Sequence, residues 1–354
     1  MAGTKHNTTI LFFTSPIGLG HASRDSAIAE QLRKDVDVIF VSGGVAASFL
    51  SKCGHTVLDV YTPPKFDIVS GHLRHKTIWL IRYMKYHYRC RRISLDLIKR
   101  YNPKMIVSDE DFAALAMYTG CKVLITDVLQ SRFTKGISGM VERRLNHKMT
   151  DMILECDAVI TPNITSDHKN IHNVGPIVRQ IHHPREYLRQ KYNMRRKTVL
   201  VTVGGTEAGK FLLDAMRPVA ADITDVADTI FVGGPILGDS TTNLHQMIYA
   251  ADVVVSLAGR STTDEATSYG TPGIFIPISG HFEQEDNAEQ FGYTHADIHN
   301  IHDLVLEKLR QPRPHNTTPS GAGKAAQLIS GSYCKHGGSR IHNTSHVTPE
   351  DDGA

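Results

Sequence analysis

No run of eighteen or more apolar residues occurs anywhere in the 354-residue chain, so no segment reads as a membrane-spanning helix. The five cysteines (Cys53, Cys90, Cys121, Cys156, Cys334) are odd in number, widely spaced and contain no C-x-x-C pair. That pattern excludes a disulfide framework and a cysteine-built zinc or iron-sulfur site, and it fits a reducing compartment. No secretory leader is expected either. Met1 to Thr9 holds one lysine among polar residues, followed by a short apolar stretch that reads as a strand. A cytoplasmic protein is expected. Proline and glycine are not in excess, at 15 and 28 residues, and 41% of the chain is apolar, which excludes collagenous and disordered classes. At roughly 150 residues per domain, the length predicts two domains.

Net charge is only +3, but it is unevenly spread. Residues 1–196 carry 29 Lys or Arg against 17 Asp or Glu, whereas Lys197 to Ser330 carries 8 against 16. Two halves of opposite charge are expected to bind different things, the basic one an anionic membrane, an acidic substrate or nucleic acid.

Short apolar runs alternate with amphipathic segments along the first half, the pattern of strand-helix units around a parallel sheet. Strands are predicted at Thr9 to Thr14, Val36 to Val41, Thr56 to Val60, Lys104 to Ser108, Lys122 to Thr126 and Ala158 to Thr161. Most are continuously apolar, which implies burial on both faces. The rhythm breaks after Thr161 and restarts at Thr198, with further strands at Thr229 to Val232, Val253 to Ser256 and Gly273 to Ile276. The predicted organisation is an α/β chain with a doubly wound Rossmann-like domain over 1–178, a linker over 179–197 and a second such domain over 198–330. A helix over Ala322 to Ile329 closes the second domain, and a disordered tail follows over 331–354.

The first strand runs into Ser15-Pro16-Ile17-Gly18-Leu19-Gly20-His21 ahead of a helix. Gly18 and Gly20 let an anion or an acceptor approach the backbone at a helix N-terminus. A dinucleotide fingerprint fails, because Ser23 replaces its third glycine and no carboxylate ends the second strand. The second domain opens with Gly204-Gly205-Thr206, and Gly204, Gly209 and Lys210 nearly spell a P-loop. Phe211 occupies the position of the magnesium-binding hydroxyl, which leaves a diphosphate-binding turn.

Ala250 to Glu265 forms a buried strand ending in Ala258-Gly259, with Glu265 one turn into the next helix, where a carboxylate can accept both hydroxyls of a ribose. After the strand ending at Pro277, Gln284 and Asn287 supply amides suited to sugar hydroxyls. Phosphate, ribose and sugar ligands thus follow in the order of a nucleotide sugar.

At these residues the chain resembles the GT-B glycosyltransferases: the family 28 C-terminal domain of the peptidoglycan GlcNAc transferase, and small GT-B enzymes that open on Gly-x-Gly-His-x-Ser-Arg. The resemblance implies two Rossmann-like domains facing a cleft. It further implies that Gly204, Gly205 and Thr206, together with Gly259, Arg260, Ser261 and Thr262, contact the donor diphosphate. Glu265 would bind ribose and Gln284 the sugar. Where the peptidoglycan enzyme pairs two glutamines this chain has Glu283-Gln284.

His21 is the candidate general base for an inverting transfer, and Asp109, after the strand Lys104 to Ser108, is its candidate orienting carboxylate, with Glu110 as the alternative. No metal and no cofactor is expected beyond the UDP-sugar co-substrate, because glycine turns and helix dipoles can stabilise the leaving diphosphate. The expected activity moves a hexose or N-acetylhexosamine from a UDP-sugar to an unidentified acceptor. A UDP-GlcNAc 2-epimerase and a non-catalytic nucleotide-sugar-binding subunit of a membrane enzyme are the alternatives.

Between Arg74 and Lys104 stand ten Lys or Arg against one acid, Asp96, interleaved with Trp79, Tyr83, Tyr86, Tyr88 and Tyr101. Leu80, Ile81 and Met84 fall on one helical face. A peripheral membrane contact or a lipid-linked acceptor, a soluble anionic acceptor and an ordinary solvated helix all fit this composition. Nucleic acid is not expected, since no binding module accompanies the patch.

Overall fold

The computed structural model describes residues 8–32, 36–65, 67–130, 138–204, 207–233, 241–314 and 318–337. Among them the first sheet has seven strands, β1 (Thr8–Thr14), β2 (Val36–Ser42), β3 (Thr56–Asp59), β6 (Met105–Asp109), β7 (Cys121–Ile125), β8 (Ala158–Thr161) and β9 (Ile171–Asn173). They lie parallel in the order β3-β2-β1-β6-β7-β8-β9. β1 shows why continuous apolarity means two-sided burial. Ile10 and Phe12 enter the core beneath α1 (Gly20–Ala29) and α2 (Gly44–Lys52), while Leu11 and Phe13 enter the one beneath α3 (Lys76–Tyr101), α4 (Phe112–Leu115) and α5 (Ser138–Leu154).

The second sheet is formed by β10 (Thr198–Thr202), β11 (Asp228–Val232), β12 (Val253–Leu257) and β13 (Gly273–Ile276), parallel in the order β11-β10-β12-β13. Around it pack α6 (Arg185–Lys191), α7 (Lys210–Asp222), α8 (Leu244–Ala250), α9 (Arg260–Ser268), α10 (Phe282–Glu289) and α11 (Ile301–Arg310). In each sheet the order reverses beside the central strand, between β2 and β6 around β1 and between β11 and β12 around β10. Ligands of open α/β sheets gather at such switch points. The two Gly-rich turns leave from these places.

Three features depart from the expected boundaries. The predicted linker 179–197 contains α6, whose Arg185 and Arg189 grip Asp252 at 2.8 and 2.9 Å, so the Arg-rich stretch is part of the second body. The chain also crosses back. Ala322, Ala325, Ala326 and Ile329 of the last helix, α12 (Ala322–Gly337), are buried in the core of the first sheet and not in the second domain to which 198–330 assigned them. Gly321 makes that return tight: its amide donates to the Pro176 carbonyl at 2.7 Å, and a Cβ there would sit 2.5 Å from the Val174 oxygen. Residues 331–337, expected to open a disordered tail, instead continue α12 to Gly337; the rest of that expected tail, 338–354, lies outside the described residues.

A hairpin of β4 (Ile68–Val69) and β5 (His72–Leu73) leaves the first domain and docks on the second. The Leu73 amide donates to the Ser279 carbonyl at 3.0 Å and the Ser279 amide to the Gly71 carbonyl at 2.8 Å. Gly71, at φ +78°, has no space for a side chain, since a Cβ would lie 2.6 Å from the His295 ring.

Candidate active site

A cleft of about 250 Å³ separates the two switch points and is lined from both domains by Gly18, Gly20 and His21 on one side and Gly204, Gly259 and Arg260 on the other. Gly18 and Gly204 have φ of +82° and +74°, which a glycine adopts without strain. A Cβ on Gly20 would lie 3.4 Å from the Ser261 Cβ, so the two turns approach closely. The N-termini of α1 and α9 therefore open into one space, each carrying unpaired amides and the positive end of a helix dipole. Ser261, Thr262, Glu265 and Gln284 line the same cleft. Gly205 and Thr206 lie outside the described residues.

His21, Arg24 and Asp25 project from one face of α1 toward the end of β6. The His21 Nδ1 is 3.0 Å from Asp109 Oδ1, and Arg24 Nε donates to Asp109 Oδ2 at 2.6 Å while its Nη2 donates to Oδ1. Burial alone would raise the Asp109 carboxyl, but the Arg24 guanidinium and the His21 ring overcome this and hold it well below the usual range. Nδ1–H can donate to that carboxylate, which leaves the Nε2 lone pair for a proton acceptor's role. Asp25 is fully buried beneath the pair and accepts from the Thr14 hydroxyl at 2.7 Å. Burial and the neighbouring Asp109 raise its carboxyl well above normal.

Glu110 is held in the left-handed region at φ +56° and lies on the other side of the ring, its Oε2 3.8 Å from His21 Nε2. Its Oε1 accepts from the Thr126 hydroxyl at 3.1 Å and from the Asp127 amide at 3.2 Å. Asp109 is thus the carboxylate against Nδ1, and Glu110 stands off Nε2.

Glu265 is buried at 4% exposure and accepts from the Ser23 hydroxyl of the opposite domain at 3.2 Å. Burial raises its carboxyl to about 7 against the lowering effects of Arg179 and Ser23. Gln284 faces the cleft with its Oε1 engaged by the Ile278 amide at 3.1 Å. Asn287 is corrected: it does not line the cleft, but is buried with its amide donating to the Ala258 carbonyl at 3.2 Å. It pins the turn that precedes α9.

Sequence reasoning missed Arg24, Ser23 and Asp127. Arg24 Nη1 lies 3.5 Å from Asp127 Oδ2, and Arg260 Nε is 3.9 Å from the same oxygen, so opposite charges alternate from Asp109 through Arg24 and Asp127 to Arg260 across the domain gap. Two signals were present: Arg24 is one turn after His21, and Asp127 follows β7 at the carboxyl edge where ligands collect.

Residues 239–311 match the glycosyltransferase family 28 C-terminal domain, the segment that contains β12, α9, β13 and α10. An uncharacterized glycosyltransferase of Methanopyrus kandleri is 27% identical over 219 residues, 55% of this chain and 62% of that protein, less than two thirds of its length. One from Methanosarcina acetivorans is 24% identical over 328 residues, 80% of this chain and 84% of that protein. Among solved structures, the glycotransferase of kitacinnamycin superposes with a TM-score of 0.63 at 14% identity, covering 93% of this chain and 100% of that one. The Streptomyces sp. SF2575 glycosyltransferase SsfS6, complexed with thymidine diphosphate, gives 0.57 at 13% identity, with 92% and 99% covered. A Listeria monocytogenes protein assigned as a UDP-N-acetylglucosamine 2-epimerase gives 0.59 at 12% identity, with 97% and 100% covered. The fold is GT-B, two Rossmann-like domains. The family 28 match covers one segment of the second domain, and the chain is similar to uncharacterized glycosyltransferases at 27% and 24% identity.

Proposed function

We propose that the protein transfers a hexose or N-acetylhexosamine from a UDP-sugar to an acceptor hydroxyl with inversion, by a single displacement that needs no metal ion. The observation that carries this reading is the meeting of His21, held by Asp109, with the N-termini of α1 and α9 in one cleft. His21 Nε2 takes the acceptor proton as the acceptor oxygen bonds to the anomeric carbon, and the bond to the diphosphate oxygen breaks with its electron pair leaving on UDP. Asp109 stabilises the imidazolium so formed. Developing charge on the diphosphate is met by helix amides and by Arg260, while Glu265 accepts the ribose hydroxyls. His21→Ala tests this directly: kcat falls by about a hundredfold or more while UDP affinity stays near native. Unchanged kcat would remove His21 from the mechanism.

On the acceptor side, α3 turns Ile78, Ile81, Met84 and Tyr88 outward, with Arg82, Lys85, Arg89 and Arg92 also exposed. Trp79 and Tyr83 instead stack on each other at 5.1 Å and turn inward, and Leu80 is half-buried, so the expected apolar side is shifted round the helix. Among the described residues no helix is long and apolar enough to cross a membrane. A basic face with an apolar ridge suits an anionic bilayer surface and a lipid-linked acceptor lying in it.

The likeness to the epimerase structure supports a second reading, in which UDP-N-acetylglucosamine is both substrate and sole carbohydrate. Mass balance separates the two. An epimerase converts that nucleotide sugar without acceptor and keeps the sugar on UDP, whereas a transferase releases UDP only as acceptor is consumed.

A further inference from the structure

Arg24 follows His21 by one turn of α1 and is buried, its guanidinium lying behind His21 and Asp109. Nε donates to Asp109 Oδ2 at 2.6 Å and Nη2 donates to Oδ1, the same oxygen that lies 3.0 Å from His21 Nδ1. This fork fixes the plane of the carboxylate and turns Oδ1 toward the ring. Nη2 is itself 3.1 Å from Nδ1, so the two nitrogens converge on one acceptor atom. On its other side the guanidinium faces Asp127 Oδ2 at 3.5 Å from Nη1.

We propose, on the reading of His21 as the base, that Arg24 is the positioning residue that sets the tautomer of His21: its grip on Asp109 makes that carboxylate accept Nδ1–H and leaves Nε2 without a hydrogen. Which nitrogen of a neutral imidazole carries the hydrogen is decided by the partner of the other one. An ionised carboxylate can only accept, so it selects Nδ1–H. A protonated Asp109 would instead donate its O–H to Nδ1. The ring hydrogen would then sit on Nε2, and His21 could not take a proton from an acceptor hydroxyl.

The charge on Asp109 depends on this one guanidinium more than on any other group. Asp109 has no exposed surface, and burial favours its neutral form; Arg24 is the foremost group acting the other way, ahead of His21. The carboxyls packed around it are Asp25 from α1, Glu110 beside it and Asp127 after β7. Asp25 and Glu110 are drawn toward their neutral forms, chiefly by burial. Burial opposes a charge on Asp127 too, but Arg24 outweighs it and holds that carboxyl at about 2, so Asp127 repels a charge on Asp109. Asp127 also offsets the repulsion between Arg24 and an imidazolium, which lets a cation stand beside the base.

The test is a long-range proton–nitrogen correlation spectrum of the full chain with labelled histidines, which separates Nδ1–H from Nε2–H directly. It is recorded at about pH 9, above the ordinary histidine range, and the His21 signals are assigned by their loss in His21→Ala. The native protein gives the Nδ1–H pattern for His21. Arg24→Gln gives the Nε2–H pattern, with calorimetric UDP affinity within about twofold of native. Arg24→Lys, which keeps the charge but gives up the fork, restores Nδ1–H. A packing role alone would leave the tautomer unchanged in all three proteins. Loss of UDP binding in Arg24→Gln marks a variant that has not folded, and Arg24→Lys then decides. Nδ1–H retained in a folded Arg24→Gln, or Nε2–H in Arg24→Lys, overturns the proposal and leaves His21 as the base. Nε2–H in the native protein is a different result, which overturns the base reading and the proposal with it.

Discussion

Glu265 is a carboxyl taken out of water, and its proton is retained well above the usual carboxylate range because ionising it in place is costly. A ribose supplies two hydroxyl donors that favour the charged form. Loss of that acceptor costs roughly 1.5 to 3 kcal/mol of binding, so Glu265→Ala raises the donor KM by about tenfold or more with kcat little changed. The sign of the stability effect follows from the same shift. The folded state keeps this proton up to about 7 while the unfolded chain gives it up near 4.5, so the contribution of Glu265 to stability falls as pH rises through that window. In the ligand-free protein the fall in Tm between pH 6 and pH 8 is therefore smaller for Glu265→Gln than for the native chain. An equal fall in the two proteins would show that the carboxyl is ionised throughout this window. The buried pair under the base gives a paired prediction. Burial and Asp109 push the Asp25 carboxyl toward its neutral form, so the neutral isostere Asp25→Asn keeps near-native kcat. In the proposed mechanism a charged Asp109 holds the imidazolium, so Asp109→Asn loses kcat with UDP affinity retained. Equal losses in both variants, measured side by side, would contradict that division of labour.

The elements were legible to the extent that their signal was local. β1, β6, β10 and β12 announce themselves as continuous apolar runs, and Gly18 and Gly204 mark the turns that follow β1 and β10. β9 was missed because three residues carry too little pattern to separate a strand from a loop. The destination of α12 was missed for a different reason: the spacing of Ala322, Ala325, Ala326 and Ile329 shows a helix with a buried stripe but cannot say which of two sheets receives it. Arg24 and Asp109 are 85 residues apart, so their pairing is a property of the sheet order and invisible along the chain. Asn287 illustrates the opposite error, an amide chosen for its chemistry whose helix face points it at backbone. Since Ile329 is fully buried against the first sheet, Ile329→Ala destabilises by roughly 2 to 5 kcal/mol in chemical denaturation while UDP binding to the intact fraction is retained. A shift within about 0.5 kcal/mol would mean that α12 does not hold the first domain together. On the outer face of α3, Ile81→Glu with Met84→Glu abolishes sedimentation with anionic liposomes and leaves Tm unchanged, because both side chains are exposed. Sedimentation that persists in the double variant assigns membrane contact elsewhere.

At the scale of the whole molecule, the first body stays basic and the second acidic even after the Arg-rich stretch around α6 is counted with the second and α12 with the first. In the proposed reaction the basic body supplies the base and the α3 face, the acidic one the diphosphate turns and the ribose carboxylate. They are joined by two chain crossings, at Val174 to Arg179 and at Ser320 to Ala322, where the Ser320 hydroxyl donates to the Val178 carbonyl at 2.7 Å. Hydrogen bonds across the gap, from Ser23 to Glu265 and from Ser279 to Gly71, hold the cleft between them. The central claim is that this cleft is a UDP-sugar site whose donor and acid-base parts are separable. The most direct measurement is calorimetric titration of UDP, GDP and thymidine diphosphate into the native protein, Glu265→Ala and His21→Ala. The account predicts preferential UDP binding, lowered about tenfold or more by Glu265→Ala and unaffected by His21→Ala. Binding of none of the three nucleotides, or equal loss in both variants, would contradict it.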